Sequence, residues 1–272
     1  MDIIFEKFNS IYSFLNYINS KEPVKESKNS SQKTTNFDFF NSNSYEESVI
    51  TMEQGYKVKF EEFSKKLKEF QNNIEKKASM SIDVAGCVPI VARAISGNPR
   101  AMYRIQRKEN KKQSVKIFYN GIVDYSYTAK EIEENNLKLL KIITLLESNN
   151  IMVELWNSPY WSYRNKKNKI TTCGCMVKLK DSNASLNLNK ILYPLIHASF
   201  FRRQGFKFME TQKLPLRFYS SYGWSMNDSN KDVKLIKEEF KKSILKDYIC
   251  IDLEFLNSSE KIEELAKKII NS

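Results

Sequence analysis

The chain has 272 residues, 41% hydrophobic and 12% aromatic, enough apolar content to bury a sizeable core and to exclude wholesale disorder. Its 44 Lys and Arg outnumber 32 Asp and Glu, a net charge of +12 that favours nucleic acid or an acidic protein as partner. An AT-rich genome also raises Lys content, so the charge carries function only where it is gathered on one side of the fold.

The opening MDIIFEKFNSIYSFLNYINS has Ile4, Phe8, Ile11, Phe14, Leu15 and Ile18 at helical spacing, which predicts an amphipathic helix within residues 1–19. It has no basic n-region or cleavage site, and no later apolar run approaches the ~18 residues that span a bilayer, so a cytoplasmic chain without membrane contact is expected. Residues 20–43, rich in Lys, Ser, Asn and Thr over most of their length, read as a flexible linker. The helix before it would dock on the body or serve as an arm for another subunit. Residues 44–80 read as helical: Ser44 and Glu47 have capping-box spacing, Gly55 marks a stop, and Phe60, Phe63, Leu67, Phe70 and Ile74 form an apolar stripe.

An α/β domain is expected over residues 81–272. Val115, Ile117 and Tyr119 mark a strand, Ile132 to Leu146 a helix over about 129–148, and IMVELW at 151–156 a second strand. Together they form a βαβ unit, which favours a parallel pair with a right-handed crossover. Residues 171–180 add a strand, and Leu188 to Ile196 a helix that resumes after a break through Met209. Residues 232–245 are predicted helical, 247–255 a strand, and a capped helix closes the chain. The expected fold is a three-layer α/β sandwich with a partly parallel sheet, plus the N-terminal helical segment.

Three constellations carry chemistry. Asp124, Ser126 and Thr128 follow the first strand of the βαβ unit, where open α/β sheets collect ligands, and a carboxylate with two hydroxyls suits Mg²⁺; the same residues also suit a helix cap. Their spacing resembles the metal-adhesion motif of von Willebrand A-like domains, although Tyr127 stands where that family has Gly. Cys87, Cys173, Cys175 and the sole histidine, His197, are the available soft ligands for zinc, but without common knuckle spacing they read better as buried thiols and a core imidazole. Any Ser–His or Cys–His chemistry would need His197 as base. Neither standard glycine-rich phosphate cradle occurs, so no nucleotide cofactor is expected and a non-enzymatic role is favoured.

The third constellation is basic. Arg93, Arg100, Arg104, Arg107, Lys108, Lys111 and Lys112 occupy one stretch. Tyr160, Trp161, Tyr163, Arg164, Lys166, Lys167 and Lys169 occupy a region read as a loop, and Arg202 and Arg203 follow His197. Rings interleaved with cations can stack bases and neutralise phosphates.

The order of SYEESVITMEQG, IDVAGCVPIVARAISGNPRAMYR, the crossover unit and LNLNKILYPLIHASFFRRQGFKFMET is similar to an uncharacterised family of proteins encoded by tailed bacteriophages and mobile elements. The resemblance spans about residues 39–211. It implies a phage-type setting, with DNA handling or virion assembly as roles and other phage proteins as partners, in the host cytoplasm or the virion. It transfers no catalytic residue.

Overall fold

The computed structural model describes all residues except 1, 28, 34–36, 76–79, 86–87, 106–112, 122–127, 165–169, 215–241, 243 and 272. In chain order they form β1 (Asp2–Phe8), α1 (Ile11–Asn19), α2 (Ser30–Lys33), α3 (Phe37–Phe40), α4 (Tyr45–Gln54), α5 (Lys57–Glu75), β2 (Met80–Asp83), β3 (Val88–Pro89), α6 (Val91–Ile95), β4 (Met102–Ile105) and β5 (Gln113–Asn120). There follow α7 (Ala129–Ser148), β6 (Ile151–Asn157), β7 (Tyr160–Arg164), β8 (Ile170–Lys180), α8 (Leu188–Ile196), a π-helix (Phe200–Gly205), α9 (Phe206–Glu210), β9 (Ile249–Asp252), α10 (Leu253–Leu256) and α11 (Ser259–Asn271).

The fold is α/β, built on a mostly parallel six-stranded sheet flanked by helices. Along the order β1-β8-β6-β5-β9, three pairs are parallel and β6–β8 is antiparallel; β7 pairs with β8 off that path. The βαβ unit forms as its periodicity dictates: β5 and β6 run parallel from Gln113↔Ile151 to Tyr119↔Asn157, and α7 packs Leu139, Leu140 and Ile143 against Ile117, Val153 and Leu155. A second cluster on this helix-covered side joins α1, α4, the π-helix and α9 to Cys173, Cys175 and Val177 of β8. On the other face Phe118, Trp156, Tyr160 and Met176 are buried with Leu245. The helix predicted over 232–245 falls almost wholly outside the described residues.

The N-terminal helix predicted from residue 2 is in fact a strand followed by a shorter helix. Ile4 and Phe8 lie four apart, a spacing that a helix face and a strand face share. In β1 they enter one core cluster while Ile3 and Phe5 pack on the opposite cluster, so both faces of the strand bury apolar side chains. Ser10 then stops the strand, its extended backbone placing the hydroxyl to accept from the Ser13 N–H at 3.0 Å and start α1. Phe14, Leu15 and Ile18 of α1 are buried in the body, so this segment is not a free docking arm.

The linker read over 20–43 is also corrected, since its described part carries α2 and α3 and buries Ser31, Phe40 and Ser42. Its own sequence offers little apolar surface; charged and polar groups of the π-helix and α9 hold it. Arg203, fully buried, donates from Nη1 to the Ser31 carbonyl at 2.8 Å and from Nη2 to the Ser42 carbonyl at 2.9 Å, with its guanidinium 4.0 Å from the Phe40 ring centroid. Buried Glu210 accepts from the Ser31 amide at 3.1 Å and from the Ser31 hydroxyl. The sheet therefore begins with the N-terminal strand, and residues 1–43 belong to the body instead of standing before a domain that starts at residue 81.

Residues 80–105 form a second, three-stranded antiparallel sheet of order β2-β4-β3, with α6 between β3 and β4.

Candidate partner-binding surface

The small sheet buries none of its described side chains. Cross-strand register places Ile82 opposite Tyr103 and Tyr103 opposite Val88, so these three share one face in a single row. All three are exposed, Val88 by 50%. Along α6, Val91 and Ile95 stand one turn apart and are 63% and 82% exposed. Among the described residues, six of the ten exposed large hydrophobic side chains, Ile82, Val84, Val88, Val91, Ile95 and Tyr103, thus lie within 22 residues. Cations accompany them. Arg93 and Arg100 are exposed and form no salt bridge among the described residues; Arg104 pairs with Asp83 at 3.0 Å, and the Val84 amide, with Arg104 and more weakly Arg100, holds that carboxyl below its usual range.

The flanking sequence sharpens the pattern. Residues 76–112 contain nine Lys or Arg and two acids, a net +7 of the chain's +12. Lys76, Lys77, Arg107, Lys108, Lys111 and Lys112 contribute to that count but lie outside the described residues.

The described rings at Tyr160 and Trp161 and the Arg202–Arg203 pair pack against the body. Tyr160 and Trp161, expected in a loop where they could stack bases, sit instead in β7, which continues along the β8 edge that β6 occupies, and are 6% and 3% exposed. Trp161 packs on Phe206 at 5.8 Å and Tyr160 faces Phe118 at 6.4 Å, so neither ring offers a face to a partner. Arg164 ends β7, opposite Ile170, and the turn holding Lys166, Lys167 and Lys169 lies outside the described residues. Arg203 is spent inside, and Arg202 donates to the Phe39 carbonyl at 2.5 Å with its guanidinium 4.2 Å from the Phe39 ring centroid. Arg203 is a structural arginine, because a buried guanidinium that satisfies carbonyls cannot also neutralise phosphate, while half-buried Arg202 is engaged by Phe39.

Sequence reasoning missed a set of lysines that only sheet register assembles. Lys7 of β1 and Lys178 of β8 approach the Trp156 ring at 4.4 and 5.1 Å, and Lys7 and Lys116 approach Tyr248 at 5.8 and 5.7 Å. Their charge is partly spent: Lys178 pairs with Asp181 at 2.7 Å, and Lys7 donates to the Tyr248 hydroxyl at 3.0 Å.

The metal candidates are mostly accounted for by structure. Thr128 is the N-cap of α7: its hydroxyl accepts from the Glu131 amide at 3.2 Å, and the Glu131 carboxylate accepts from the Thr128 amide and hydroxyl at 2.8 Å. That capping box takes Thr128 out of the proposed Mg²⁺ set. Asp124 and Ser126 lie outside the described residues, after the carboxyl end of β5. Cys173 and Cys175 are buried, unbridged thiols pushed far above their ordinary range by desolvation, and Cys87 lies outside the described residues. His197 is held between Tyr193, stacked at 4.8 Å, and Tyr56, edge-on at 4.9 Å, and burial pushes its pKa down to about 4. Its Nδ1 accepts from the Ser199 amide at 3.3 Å, and its Nε2 lies 3.4 Å from the Asn41 side-chain nitrogen. No group of three or more His, Cys, Asp or Glu among the described residues is placed to hold a metal ion, and no described helix is long and apolar enough to cross a membrane.

Residues 2–270 match the model of a family described as a domain of unknown function, DUF7192, and the chain belongs to that family. No curated protein matches the chain, and no solved structure does.

Proposed function

We propose that this DUF7192 chain is a non-catalytic binding protein that takes an acidic, polyanionic partner on the small sheet of residues 80–105. The observation that carries the reading is the concentration of charge: the sequence of residues 76–112 has a net +7, and within it the described small sheet exposes Arg93, Arg100 and Arg104. Such a stretch draws in anions at long range and releases their counterions on contact, so affinity falls steeply with salt. The motif order SYEE, Asp-x-x-Gly-x-x-Pro, crossover unit and Pro-x-x-His helix supports a phage-type setting, with the partner in the host cytoplasm or the virion.

Fluorescence anisotropy with labelled polyglutamate and labelled single-stranded DNA tests the reading. Wild type should bind at about 50 mM salt and weaken by roughly an order of magnitude or more by about 200 mM. Arg93→Glu/Arg100→Glu/Arg104→Glu should weaken binding at least ~10-fold at the lower salt. An absence of binding by wild type at about 50 mM salt overturns the proposal.

A further inference from the structure

Resting on that reading, we infer that the acidic partner is a protein presenting apolar side chains between its carboxylates. Charge alone does not select between protein and nucleic acid; the apolar row does. Phosphate backbones ask a surface for cations, and stacked bases ask for rings. The small sheet offers a single ring, Tyr103, among mainly aliphatic groups, Ile82, Val84, Val88, Val91 and Ile95, interleaved with Arg93, Arg100 and Arg104. Aliphatic centres with arginine beside them suit a protein interface, where apolar area is removed from water and guanidinium forks meet carboxylates.

The sheet's own stability points the same way. Three short strands and a five-residue helix with no buried side chain among the described residues cannot offset the entropy of ordering through their own packing. A partner that covers the Ile82–Tyr103–Val88 row and the Val91–Ile95 ridge supplies the missing burial. Binding and ordering of this sheet are then one event, and the partner contributes part of the core.

The test uses the full chain and three labelled probes of equal length: a peptide alternating Glu with Val, a peptide alternating Glu with Ser, and a single-stranded oligonucleotide. Wild type should prefer Glu–Val over Glu–Ser by about ten-fold or more, because only the first offers apolar area. Val88→Ser/Val91→Ser/Ile95→Ser should abolish that preference, so that the Glu–Val peptide binds no more tightly than the Glu–Ser peptide; these side chains are exposed, so the body stays folded, as its thermal transition will report. Equal binding of the two peptides, or a preference that survives the serine variant, overturns the inference while leaving the polyanion reading in place. Tighter binding of the oligonucleotide than of either peptide also overturns it and assigns the sheet to nucleic acid. Failure of all three probes to bind removes both.

Discussion

His197 and Arg203 show how residues that look functional in the sequence do structural work. The imidazole, clamped by Tyr193 and Tyr56, is held neutral, its pKa pushed down to about 4 by burial. In the unfolded chain it titrates near the ordinary 6.5, so below that pH the unfolded state binds a proton that the folded state refuses. The contribution is present above pH 6.5 and is lost as pH falls toward 4, for a total of about 3 kcal/mol. Urea unfolding of wild type against His197→Gln across this window checks it: the variant's stability should change less on acidification. Arg203→Ala should cost about 3 kcal/mol, because it removes a buried side chain and the bonds it donates to the buried Ser31 and Ser42 carbonyls. The same variant should bind polyglutamate like wild type, which separates a packing arginine from a surface one.

Elements that follow one clean period are the ones the sequence makes legible. The unit β5-α7-β6 is of this kind: alternation in VKIFYN, a helical stripe from Ile132 to Leu146 and a second alternating run put each core residue on the side where the sheet needs it. The Thr128–Glu131 capping box fixes the start of α7, and Thr128→Ala should cost about 1 kcal/mol in unfolding experiments, with Thr128→Ser largely neutral. β1 was hidden because Ile4 and Phe8 satisfy a helical and an extended period equally, and only its pairing with β8 decides between them. β7 was hidden by Ser158 and Pro159, a turn signal that here only interrupts one long edge. Register continues from Asn157↔Val177 to Tyr160↔Gly174, while the Ser158 amide bonds back to the Tyr119 carbonyl and the Pro159 carbonyl accepts from Cys175. The folding of residues 20–43 was beyond local reading because its partners, Arg202, Arg203 and Glu210, lie more than 150 residues away. Removing residues 1–43 deletes a sheet strand and these bonds, so the truncated chain should lose its cooperative thermal transition; a docking arm would come away without that loss.

Over the whole molecule, what matters is how one pool of positive charge is sorted. Composition announces the excess but not its fate, since Arg93 and Arg203 look alike in a sequence and differ only in what the fold sets against them. Arg202 and Arg203 are consumed in holding the N-terminal segment, and Lys178 is set among acids and rings. The small sheet keeps its cations outward and adds apolar side chains that the body leaves uncovered. On the proposed reading, the α/β body is the scaffold and the sheet of residues 80–105 is the part that takes the partner.

Amide hydrogen exchange of the full chain, with and without saturating polyglutamate, tests this division most directly. The account predicts slowed exchange confined to residues 80–105, with β5, β6 and β8 unchanged. Slowing centred instead on Lys7, Lys116 and Lys178, with the small sheet exchanging as fast as before, would contradict it.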